Sequence, residues 1–246
     1  MRAHARLSAE ADGRGGTRLS RLRAESPLLL RQTGATGGTV TVHLVGGAAG
    51  PLGGDDLRLD VAVGPGAALC LRTVAASIAL PGRRGERSQY TVSVTVAAGG
   101  VLHWLPEPTV AAAACHHAAL ATVDLEQGAS LVWRDELICG RHGEQPGDLT
   151  VSTRVRYAGR ALLHQTLEIG PGADGWSGPG VLGGARATGS LLRVAPHEPP
   201  VAPRLLGPTA VWMPLAGPAA LITATADTSQ RLRDYLDAAL PALADT

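Results

Sequence analysis

The sequence predicts a mainly β fold of stacked hairpins, solenoid-like or sandwich-like, with a short C-terminal α-helix. Three observations carry that reading. Four segments alternate apolar and polar residues with period two, and each is followed by a glycine and a second apolar run. The glycines recur at a nearly constant interval, and an amphipathic run closes the chain.

The alternating segments are residues 57–63, 90–96, 121–125 and 149–155. Period two sends one set of side chains to a core face and the other toward solvent. Enrichment in valine and threonine agrees with strands. The second runs are residues 66–71, 100–104, 128–133 and 159–164, and a weaker copy opens the chain with residues 5–9 ahead of Gly15. Gly66, Gly99, Gly128 and Gly159 stand 33, 29 and 31 residues apart. A glycine at positive φ lets the chain reverse into a hairpin, and hairpins repeated at this period cover one another's apolar faces. An ordinary β-sandwich with evenly spaced hairpins is the alternative architecture.

The whole chain, 1–246, reads as one domain. Residues 170–184 are rich in glycine and proline and read as a long loop. Residues 195–218 hold seven prolines, too many for a central strand, and read as a surface crossing. Residues 227–240 read as an amphipathic helix. Asp227, Thr228, Ser229 and Gln230 supply an N-cap and a capping-box partner, and Leu232, Tyr235, Leu236, Ala239 and Leu240 form one face before Pro241.

Composition narrows the function. All 22 basic residues are arginine, which excludes a Walker A lysine, a pyridoxal Schiff base and a kinase lysine in this chain. Neither G-x-S-x-G nor H-E-x-x-H occurs. A net charge of +1 argues against nucleic acid as partner. No apolar run approaches the roughly 20 residues that span a bilayer, and the first ten residues lack a signal-peptide core, so the expected location is cytoplasmic. Cys70, Cys115 and Cys139 form no C-x-x-C pair, so no disulfide framework or zinc knuckle is expected.

A succession of short motifs is more specific. It runs Gly53-Gly54-Asp55, Gly64-Pro65-Gly66-Ala67, Ala75-Ala76-Ser77, Trp104-Leu105-Pro106-Glu107, then Asp135-Glu136 through Gly140-Arg141 and Glu144. In combination, over about residues 5–195, it resembles the UreD (UreH) urease accessory family as found in high-GC Gram-positive bacteria. The resemblance implies a non-catalytic β protein that docks on apo-urease and on UreF, and meets the GTPase UreG through UreF. It implies no tightly bound cofactor, only Ni²⁺ in transit along a water-filled passage. Asp55 and Ser77 match family residues associated with that passage. A carboxylate and a hydroxyl hold Ni²⁺ more weakly than thiolates do, which suits release. Two departures stand out. Gln165 replaces an often acidic residue, and Arg134 replaces an often aromatic one.

Other candidates remain open. Arg141 with Glu144 reads either as an internal ion pair or as an interface contact. Trp104 reads as core. Cys115 and His117, at i and i+2, are a weak metal pair, expected instead to be surface or incidental residues. Asp55 with Glu107 could be proposed as the facing carboxylates of a glycosidase, though nothing in their spacing supports it. A β-rich hydrolase and a generic β binding module are the alternatives in function.

Overall fold

A computed structural model of the chain describes residues 1–240. Arg2–Ala11 (β1) and Thr17–Arg23 (β2) form an antiparallel hairpin, as do Leu28–Thr36 (β3) and Thr39–Gly46 (β4). The repeated part follows, with Asp56–Val63 (β5), Ala68–Thr73 (β6), Ser77–Ala79 (β7), Ser88–Val96 (β8), Val101–Leu105 (β9), Thr109–Ala111 (β10), His116–Leu125 (β11) and Ser130–Cys139 (β12). Asp148–Tyr157 (β13) and Arg160–Ile169 (β14) pair as a hairpin. Ala187–Val194 (β15), Arg204–Gly207 (β16), Ala210–Pro214 (β17) and Ala219–Ala226 (β18) precede a helix, Ser229–Leu236 (α1).

Among the described residues the strands build two sheets. One has the order β14-β13-β11-β8-β5-β1-β2, and the other β16-β17-β18-β15-β12-β9-β6-β4-β3, with β7 and β10 at its side. The central pairings are parallel and run residue to residue from coil to coil: Leu57 beside Tyr90, and Tyr90 beside Ala119. The mainly β class and the solenoid-like stack therefore hold.

The turn unit differs from the expected hairpin. All four marker glycines have positive φ, between 66° and 84°. Yet β5 and β6 lie in opposite sheets, as do β8 and β9, and β11 and β12. At Gly66, Gly99 and Gly128 the chain arches across the core. Only at Gly159 do the two arms pair. An arch satisfies its backbone groups with the coils above and below, while its arms bury Leu59, Val61, Leu69 and Leu71 against each other. At roughly 1.5–3 kcal/mol for each large apolar side chain, this shared core is the main stabilising term.

The proline-rich stretch also carries more structure than a plain crossing. It contains the edge hairpin of β16 and β17. Pro203 and Pro208 flank β16, and Pro214 ends β17, so none interrupts a central ladder. The 170–184 loop is held by Trp176 and Leu182, which pack on the cluster of Leu149, Ile169, Cys115 and Cys139. Helix α1 is shorter than expected and passes into a 3₁₀ turn, Asp237–Ala239. Thr228 caps it by accepting from Arg231 N, while Gln230 donates to Asp234 instead of closing a capping box. Its buried Leu232 and Leu236 lie on β15 and β18, on the outer face of the larger sheet. The expected stop at Pro241 lies outside the described residues. No helix among them is long and apolar enough to cross a membrane.

Candidate functional site

The turn before β5 places the first candidate. Asp55 N donates to Leu52 O, and Asp55 Oδ2 accepts from Leu52 N at 2.9 Å. Asp55 Oδ1 accepts from Met1 N at 2.7 Å. Gly53 is packed so closely on the next loop that a Cβ there would lie 2.2 Å from Gly82 N, so only glycine fits. Asp55 is 7% exposed. A carboxylate this buried needs the donors that the turn supplies.

Asp55 opens onto a cavity of about 390 Å³ between the sheets, which Ser77 also lines. The two residues matched from sequence therefore share one space. Its other polar groups include Glu107, His117, Asp135 and Thr153. Trp104 and Trp133 form an apolar wall, stacked with centroids 5.0 Å apart. Trp104 is buried, as expected of a core residue.

Period-two pleating organises the polar end of this space. Gln89 sits beside Asp56, and Ser88 beside His117, so Asp55, Ser88 and His117 occupy one cross-strand row. Gln89 N donates to Asp55 O at 2.7 Å, continuing the ladder. Ser88 is fully buried, and its hydroxyl lies 2.8 Å from His117 Nδ1. Burial, then the positive charge of Arg87, pushes the His117 pKa down to about 4 against the opposing pull of Ser88 and Asp55. The imidazole is neutral at pH 7.

That shift predicts a pH effect in the metal-free protein. An unfolded histidine titrates near 6.5, so between 6.5 and about 4 the unfolded chain binds the extra proton. The His117 contribution is complete above pH 6.5 and is lost as pH falls toward 4, by about 3 kcal/mol at most. Urea midpoints measured between pH 7 and pH 4 check this, and His117→Gln is expected to flatten the slope.

Asp135 and Thr153 add a second polar group to the cavity lining. Asp135 accepts from Trp133 Nε1 at 3.0 Å and from Thr153 Oγ1 at 2.9 Å, while burial pushes its carboxyl pKa up against both bonds. The same two residues, with Val151, also line a second void of about 30 Å³ that reaches Gln165, Thr188 and Ser190. Asp135 and Thr153 thus line both spaces, the larger shared with Asp55 and the smaller with Gln165.

The remaining candidates separate. Arg141 pairs with Glu144 through both Nε and a terminal nitrogen, pulling the Glu144 pKa down to about 2. The pair closes an exposed turn. Cys115 and His117 are both buried, contrary to the expected surface position, and only His116 is exposed. Cys115 belongs to the cluster under Trp176, and burial, then Asp148, pushes its thiol pKa up to about 11. Among the described residues no group of three or more His, Cys, Asp or Glu side chains is placed to hold a metal. Glu107 does share the cavity with Asp55, but Arg233 holds its carboxyl below the usual range through hydrogen bonds at 3.1 and 3.3 Å. That is the opposite of a glycosidase proton donor.

Comparisons with known proteins agree with the motif succession. The family described as UreD urease accessory protein matches residues 1–245. "Urease accessory protein UreD" of Streptomyces avermitilis is 49% identical over 246 residues, covering 99% of this chain and 98% of the relative. "Urease accessory protein UreD 3" of Streptomyces griseus subsp. griseus is 48% identical over 252 residues, covering 100% and 98%. The Streptomyces coelicolor protein "Urease accessory protein UreD" is 45% identical over 247 residues, covering 99% and 97%.

Proposed function

The chain belongs to the UreD urease accessory protein family, and on that premise we propose that it is a non-catalytic, cytoplasmic scaffold for loading nickel into apo-urease. It docks on apo-urease and on UreF, meets UreG through UreF, and passes Ni²⁺ between its sheets. The observation that supports this reading is the one cavity that Asp55, Ser77 and Asp135 all line. The space is more than tenfold larger than one water requires, so an ion can enter with part of its hydration shell. Oxygen ligands of this kind bind Ni²⁺ weakly enough to let it go.

The test is co-expression of the urease subunits with UreF and UreG, with and without this chain. With it, urease is expected to carry nickel, to be active, and to co-purify with the chain before activation. Equal nickel content in its absence would discard the proposal.

A further inference from the structure

Resting on the nickel-passage reading, we propose that His117 is an imidazole ligand of the ion in transit, forming with Asp55 a transient Ni²⁺ subsite whose donor nitrogen is set by Ser88. The cross-strand row supplies the geometry. Neighbouring strands lie about 4.8 Å apart, so Asp55 and His117 start from backbones roughly 10 Å apart with Ser88 between them. Both side chains line the same cavity. A short carboxylate from one side and a longer imidazole from the other can meet one ion.

The ring is arranged for this. Nδ1 is engaged by the Ser88 hydroxyl at 2.8 Å. With the Nδ1 proton donated to the serine oxygen, Nε2 carries the lone pair of a ring that lines the cavity. Imidazole suits Ni²⁺ better than hydroxyl or carboxylate oxygen does, and two protein ligands with water completing the shell hold it without trapping it. The contact from Met1 N to Asp55 Oδ1 is the one an arriving ion displaces. Cys115 takes no part, because its sulfur lies against the Asp148 carbonyl in a separate cluster.

The experiment is titration of the purified full-length chain with Ni²⁺ alone, followed by calorimetry and nickel X-ray absorption. The wild type is expected to show imidazole scattering. His117→Gln is expected to lose it and to weaken binding at least tenfold, and Ser88→Ala to weaken it by about tenfold through loss of ring orientation. Unchanged scattering and affinity in His117→Gln would overturn the subsite. Should that variant fail to fold, ¹⁵N-histidine spectra of the wild type decide: substoichiometric Ni²⁺ broadens the His117 ring first, or the subsite is wrong. The passage reading fails separately. If urease carries equal nickel with and without the chain while His117 still binds nickel in vitro, the passage falls and the binding site stands. If Asp55→Asn abolishes loading while His117→Gln binds as wild type, the reverse holds.

Discussion

Replacing Asp55 by Asn is expected to reduce the nickel content and activity of co-expressed urease tenfold or more, with the chain still folded and bound to its partners. The amide keeps one oxygen as acceptor for Leu52 N, so the turn before β5 survives. What disappears is the charge. A unit charge about 4 Å from another contributes on the order of 4 kcal/mol at the effective dielectric near a protein surface. Desolvation of the ion and displacement of Met1 N offset most of that attraction, yet a residue of only about 1.4 kcal/mol is already tenfold in occupancy. Asp55→Ala is the poorer variant. It also leaves Leu52 N without its partner, adding about 1–3 kcal/mol of structural loss that confuses the readout. Nickel in purified urease measured by metal analysis, alongside native gels of the complex, separates the two effects. Wild-type nickel loading with Asp55→Asn would remove the residue from the path.

The repeated strands were legible because each arm has one buried and one exposed face. Residues 57–63 and 90–96 alternate cleanly, and they are β5 and β8 almost to the residue. Two of the strands missed, β15 and β18, lack a wet face. β15 and β18 lie under α1, so Leu191, Leu192, Arg193 and Val194 are all buried and alternation is erased. Whether a glycine turn makes an arch or a hairpin was also hidden, since both leave the same period in sequence. At the site, Asp55 and Ser77 came from motif order, and the fold brings them to one cavity. Pairing Cys115 with His117 failed for a local reason. β11 begins at His116, after Ala114 at φ +57°, so the i, i+2 rule does not reach back to the cysteine. Ser88 and Thr153 carry no sequence signal, because cross-strand rows exist only after the coils stack.

Arg233→Ala is expected to lower the unfolding free energy by about 3–5 kcal/mol, since it strips a cation from the buried Glu136 carboxylate. Helix α1 is tied to the larger sheet by charge as well as by Leu232 and Leu236. Glu136, with 1% of its side chain exposed, lies 2.9 Å from Arg134 Nε and 2.7 Å from Arg233 Nε. Neither contact is aligned as a hydrogen bond, so attraction between charges does most of the holding. Arg233 also grips Glu107, and Arg134 reaches Asp237 and the Pro106 carbonyl, each at 3.1 Å. Burial pushes the Glu136 carboxyl pKa up, and the two arginines act against it. Losing one leaves the charge half-compensated in a dry place, which is why the expected loss is a large share of the 5–15 kcal/mol typical of a domain. Urea unfolding measures it, with faster amide exchange over residues 229–239 as the local sign that α1 has loosened. Replacing the whole group, Arg134→Met with Glu136→Leu and Arg233→Met, is expected to recover most of the loss, because apolar groups of similar volume can replace a buried ionic triad at little cost. A loss below about 1 kcal/mol in Arg233→Ala, a value typical of an exposed pair, would mean that the apolar face of α1 alone anchors the helix.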